Sequence, residues 1–109
     1  MLAEPRAILP LIDLLGTTRD AYVLRCAVVA LERFADRRAG PALSGLLLDM
    51  PTPLVVRTAA VDALAHIGGR EAQMALQRAL AHPNSAVRER AAGALRGLQD
   101  QPAPVGEDA

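Results

Sequence analysis

The stretch TPLVVRTAAVDALAHI, residues 52–67, decides the fold. Val56, Ala60, Ala63, Leu64 and Ile67 fall at i, i+4, i+7, i+8 and i+11, a single apolar stripe along an α-helix. The same template stands upstream in DAYVLRCAVVALERF, residues 20–34, as Val23, Ala27, Ala30, Leu31 and Phe34. It returns downstream in NSAVRERAAGALRGL, residues 84–98, as Val87, Ala91, Ala94, Leu95 and Leu98. Each copy opens with a residue suited to cap a helix: Asp20, Thr52 and Asn84 carry side-chain oxygens that accept from free first-turn amides. Pro53 follows Thr52 at the first helical position, where a missing N–H is harmless.

Between the copies lie shorter apolar segments, AILPLIDLL (7–15), AGPALSGLLL (39–48) and AQMALQRAL (72–80). Leu11, Leu14 and Leu15 correspond to Leu43, Leu46 and Leu47, and then to Leu76, Ala79 and Leu80. Turn and stop residues separate them: Gly16-Thr17-Thr18, Asp36-Arg37-Arg38, Pro51, Gly68-Gly69 and His82-Pro83. The reading is an all-α chain of three helical hairpins with a period of roughly 31 to 33 residues, an α-solenoid whose stacked hairpins bury what one alone cannot. Helices are expected near 5–15, 21–35, 39–49, 53–67, 71–81 and 85–98, in a repeat domain over 1–98 with repeats at about 4–35, 38–67 and 70–98. The remaining residues 99–109 have no periodicity, hold two prolines and end acidic, which reads as a disordered tail.

Composition agrees. Half of the 109 residues are hydrophobic (51%) but only 2% are aromatic, so the core must be built from Leu, Val, Ile and Ala around Tyr22 and Phe34. Alanine and leucine favour helix. Twelve basic residues, all arginine, balance twelve acidic ones. That neutrality argues against a dedicated nucleic-acid or anionic-membrane binder, whose affinity rests on excess positive charge. No apolar run approaches the ~20 residues of a membrane span. The N-terminal MLAEPRAILPLIDLLG carries Glu4, Arg6 and Asp13 where a signal peptide needs an uncharged segment, so the chain is expected to be cytoplasmic and soluble. The single cysteine, Cys26, excludes an internal disulfide and is expected to be a small buried hydrophobe.

The stretches RRAGPALSGL (38–47), VRTAAVDAL (56–64) and VRERAAGAL (87–95) resemble HEAT repeats, the armadillo-like solenoids, and most of all the bacterial HEAT-like repeat also found in phycobilisome lyases. The resemblance covers about residues 4–98 and implies a right-handed superhelical stack. It further implies that the second helices of successive repeats line a concave face. Such repeats commonly pair an Asp between the helices with an Arg early in the second helix. Asp20 with Arg25 fits that ladder, whereas Thr52 and Asn84 stand opposite Arg57 and Arg88, and Arg25 lies one residue off their register. Pro10 falls one residue later than Pro41, so the first helix is expected to be kinked or to start late.

Catalytic arrangements are absent from the sequence. His66 and His82 have no carboxylate or cysteine at ligand spacing and read as solvated or capping residues. Gly68-Gly69 fits a helix end, not a phosphate loop. Ser44 and Ser85 lack a neighbouring His–Asp arrangement. Arg57 and Arg88 recur at one structural position, which speaks for a scaffold role. The expectation is therefore a non-catalytic protein-interaction module, without metal or cofactor, that takes a protein or peptide on the second-helix face. That face presents Arg25, Val29, Arg33, Thr58, Asp62, His66, Glu89, Arg90 and Arg96. Two alternatives come with the resemblance: a lyase-type or chaperone subunit for tetrapyrrole attachment, and a HEAT-like cradle for nucleic acid. Finally, Ile8 and Ile12 stand where the later repeats have Gly40 and Ser44, then Gln73 and Gln77. This apolar ridge either turns into the core or packs at the N-terminal edge against a preceding repeat or a second copy.

Overall fold

The computed structural model describes residues 7–48 and 52–100. Among them are six α-helices, α1 (Ile8–Thr17), α2 (Ala21–Phe34), α3 (Gly40–Leu48), α4 (Leu54–Ile67), α5 (Gly69–Ala79) and α6 (Ser85–Asp100), and no strand. Each pair forms a hairpin, α1 with α2, α3 with α4 and α5 with α6. The hairpins stack in two layers: α2, α4 and α6 pack side by side, and α1, α3 and α5 form the other sheet of helices. This is an α-solenoid. No helix of the described residues is long and apolar enough to cross a membrane.

The template positions form the seam between the layers. Leu31, Leu64 and Leu95 are buried equivalents, joined by Ala27, Ala60 and Ala91. Position in the stack modulates burial. Val56, Ala60, Ala63 and Leu64 of α4, with helices on both sides, are all at 0% exposure. Among their end-repeat counterparts Val23, Ala30 and Ala94 are only half-buried, whereas Leu31, Val87 and Ala91 are as enclosed as the central set.

Local chemistry fixes most helix ends. The Asp20 carboxylate accepts from the Tyr22 and Val23 amides at 2.9 and 3.1 Å. Asn84 does the same for Ala86 and Val87 at 2.8 and 3.4 Å. Thr52 does not follow them. The cap position of α4 belongs to Pro53, with no side-chain bond, and the Thr52 carbonyl is taken by Arg57 instead. α1 starts at Ile8, so Pro10 lies in its first turn, where the amides have no intrahelical partner and no kink is needed. Gly68 closes α4 and opens α5 at once, with φ +73°, and Gly69 follows at φ +92°; both need glycine. At the other end, α6 continues through Asp100, two residues beyond the expected boundary. The rest of the expected tail, 101–109, lies outside the described residues.

Two further expectations change, and one open alternative is settled. Cys26 is exposed, because the buried side of α2 runs through Leu24, Ala27, Val28 and Leu31 and turns Cys26 outward. Asp20 forms no ion pair with Arg25 among the described residues, since its carboxylate is engaged as the α2 cap. The N-terminal ridge turns inward: Ile8 is 3% exposed in the core and Ile12 packs half-buried against it. The large apolar residue that α1 exposes is Leu9, at 58%. Ile8 therefore offers no edge contact.

Candidate functional site

The second helices share one open face, and a hollow of about 280 Å³ lies across it. Arg25, Val29 and Glu32 enter from α2, Val55, Thr58, Ala59 and Asp62 from α4, and Arg90 from α6. Helix periodicity explains the set. Residues 25, 29 and 32 sit one turn apart, as do 55, 58, 59 and 62, on the side away from the core stripe. The Arg90 guanidinium donates to Asp62 at 2.8 Å, tying α6 to α4 across the face. Both partners are about half exposed (50% and 48%), so the pair contributes little, ~0.2–1 kcal/mol. A second hollow of about 250 Å³ flanks it on α2, lined by Arg25, Cys26, Val29, Ala30 and Arg33.

Of the expected face residues, Arg25, Val29, Thr58, Asp62 and Arg90 thus line the central hollow and Arg33 the flanking one. His66 and Arg96 are exposed near the C-terminal ends of α4 and α6 and line neither. The sequence reading missed Glu32, Val55 and Ala59 in the central hollow and Cys26 and Ala30 in the flanking one, Ala30 having been read as part of the core stripe. Val55 and Cys26 each lie just off the buried stripe, so their register already placed them outside. Tyr22 and Val55, 33 residues apart and 75% and 49% exposed, occupy equivalent places at the start of α2 and α4.

At the turn end of the stack, Arg57 is buried to 4% exposure. Its Nε donates to the Thr52 carbonyl at 2.9 Å and its Nη1 to the Leu47 carbonyl at 2.7 Å. Nη1 also lies 3.0 Å from Nε2 of His82, in the turn of the next hairpin. Arg88 repeats part of this scheme: it donates to the carbonyls of His82 and Pro83 at 2.8 and 2.9 Å, but from an exposed position. In the first hairpin the same register holds Leu24, buried to 5%. The His82 imidazole is held below its ordinary value of 6.5, first by burial and then by the charges of Arg57 and Arg88.

The α-hairpin recurs three times, and in the second and third it carries a buried Val–Ala–Leu stripe and an arginine bonded to the carbonyls of the preceding turn. A family model described as HEAT repeats matches residues 51–105. The chain belongs to the HEAT-repeat family. It is also similar to an epoxyqueuosine reductase of Listeria monocytogenes, 41% identical over 69 residues. Those residues make up 62% of this chain but only 18% of the reductase, so the HEAT-repeat chain spans less than a fifth of that relative.

Asp36 and Arg38 form an ion pair at 2.9 Å in the turn between the first two hairpins, and the guanidinium holds the Asp36 carboxyl below its ordinary range. Ser44 is buried in α3 beside a hollow of about 100 Å³ that Glu71, Met74, Ala75 and Arg78 of α5 also line. Among the described residues, no group of three His, Cys, Asp or Glu side chains is placed to hold a metal ion.

Proposed function

We infer that this HEAT-repeat protein is an interaction module that docks a protein or peptide across α2, α4 and α6, with no chemistry of its own. The carrying observation is the hollow to which three successive hairpins each contribute side chains. A surface built from several repeats binds an extended partner through many modest contacts, and apolar Val29, Val55 and Ala59 beside charged Arg25, Asp62 and Arg90 suit a mixed polar and apolar segment. A photo-crosslinking amino acid placed at Val29 or Thr58 should capture a partner that the same probe at Gln73 or Gln77, exposed on α5, does not. Charge reversal at Asp62 or at Arg90 should weaken that complex tenfold or so, about 1.4 kcal/mol, with helicity unchanged. Equal capture from the α5 positions, or unchanged affinity in both variants, would move the site elsewhere.

A second reading rests on the similarity to epoxyqueuosine reductase. The chain would serve as a helical-repeat part of, or companion to, such an enzyme, with the reacting groups supplied elsewhere. Epoxyqueuosine reduction by the isolated chain would overturn the non-catalytic reading. Stimulation of a reductase that lacks the matching segment would support the companion role.

A further inference from the structure

His82 stands at the joint between the second and third hairpins, and its imidazole faces an N–H donor on each side. Nη1 of Arg57 lies 3.0 Å from Nε2, and the Asn84 amide lies 3.0 Å from Nδ1. A guanidinium and a backbone amide can only donate. A neutral imidazole can accept at one nitrogen, and whichever it is, the other carries hydrogen toward a donor. An imidazolium carries hydrogen on both, and at neither contact does it meet an acceptor. Among the described residues, the charges that act on the ring are cationic, Arg57 from α4 and Arg88 from α6, while α5 supplies the Ala79 carbonyl to the His82 amide.

We propose that His82 is a proton-operated latch at the joint of the second and third hairpins: neutral, the ring accepts at one of these two contacts, and a proton leaves it no acceptor and sets a cation between Arg57 and Arg88. Arg57 is the pivot because the same guanidinium holds the Leu47 and Thr52 carbonyls, so one group joins two successive turns. Displacing the ring also disturbs the Asn84 amide beside the α6 cap. The direction follows from the proton balance. Because the folded ring binds its proton less readily than the unfolded one, unfolded chains take up more protons on acidification. The stabilisation is complete above the unfolded value near 6.5. It is lost as pH falls from there through the lowered folded value, and the loss then levels off.

Imidazole NMR on the intact chain tests this. His82 should titrate below the ordinary imidazole value near 6.5, each unit between them being a tenfold difference in proton affinity. Amide exchange at Asn84 and the first turn of α6, corrected for intrinsic rates, should speed up at pH 5 while the first turn of α2 does not. Stability in urea should fall between pH 7 and 5 in the native chain, and His82→Gln, which keeps an acceptor but cannot titrate, should remove that fall; His66→Gln should retain it. His82 titrating at the ordinary imidazole value or above it, or an unchanged fall in His82→Gln, would overturn the latch. If His82→Gln does not fold, the titration of the native chain alone decides.

Discussion

Ser44 shows how one residue departs from its surroundings. It is 9% exposed within α3, and its hydroxyl finds no hydrogen bond among the described residues. A buried donor without a partner costs about 1–3 kcal/mol, and serine is also a slightly poorer helix former than alanine. Ser44→Ala should therefore raise stability by about 1 kcal/mol in a denaturant titration; a loss of stability would show that the hydroxyl is bonded. Ala35 is the complementary case in the backbone. It ends α2 at φ +52°, where its amide closes on the Leu31 and Glu32 carbonyls, a conformation that favours glycine. Neither feature can be seen in the sequence alone, because an alanine before Asp36 and a serine in a small-residue helix look ordinary there.

At the scale of the element, the second helices differ by what stands at one register: Leu24, Arg57 and Arg88. Arg57 is enclosed by neighbours on both sides and bonds two carbonyls, while Arg88 bonds its own turn in solvent. Arg57→Leu, the residue of the first hairpin, should destabilise by about 2–4 kcal/mol, because buried carbonyls lose charged donors. Arg88→Leu should change stability by less than about 1 kcal/mol. Similar losses in both variants, measured by urea unfolding, would show that burial does not set the difference. The helices themselves were legible because an apolar stripe is a local pattern, repeated three times. The cap residues Asp20 and Asn84 were legible for the same reason. The Arg57–His82 contact was not: 25 residues separate the partners, and only the stacking of hairpins brings them together. Likewise, Ile8 could be read as facing the core or the edge, and the packing of α1 decided in favour of the core.

Across the whole molecule, α4 is the keystone, packed against α2, α3, α5 and α6. Leu64, fully buried at its centre, should lose about 2–5 kcal/mol on truncation to alanine. Leu95→Ala, in the end hairpin with 7% exposure, should cost less. Equal losses in thermal or urea unfolding would indicate that position along the stack has no bearing on packing. The open face of the second helices was legible as a set of register positions, but not its division into separate hollows, which depends on how far α2, α4 and α6 stand apart.

Gly68 gives the stack an uneven gearing. Between the first two hairpins the chain passes through Ala35, Asp36 and a 3-10 turn over Arg37–Ala39, whereas between the second and third it passes through Gly68 alone. Whatever torsion that residue adopts is transmitted undamped to α5. The helix of 11 residues is a lever about 16 Å long, so a change of ~10° at its root swings its far end by ~3 Å. The seating of the third hairpin on the second thus rests on the backbone angles of Gly68 and Gly69, while that of the second on the first is spread over five residues and is correspondingly less sensitive to any single one.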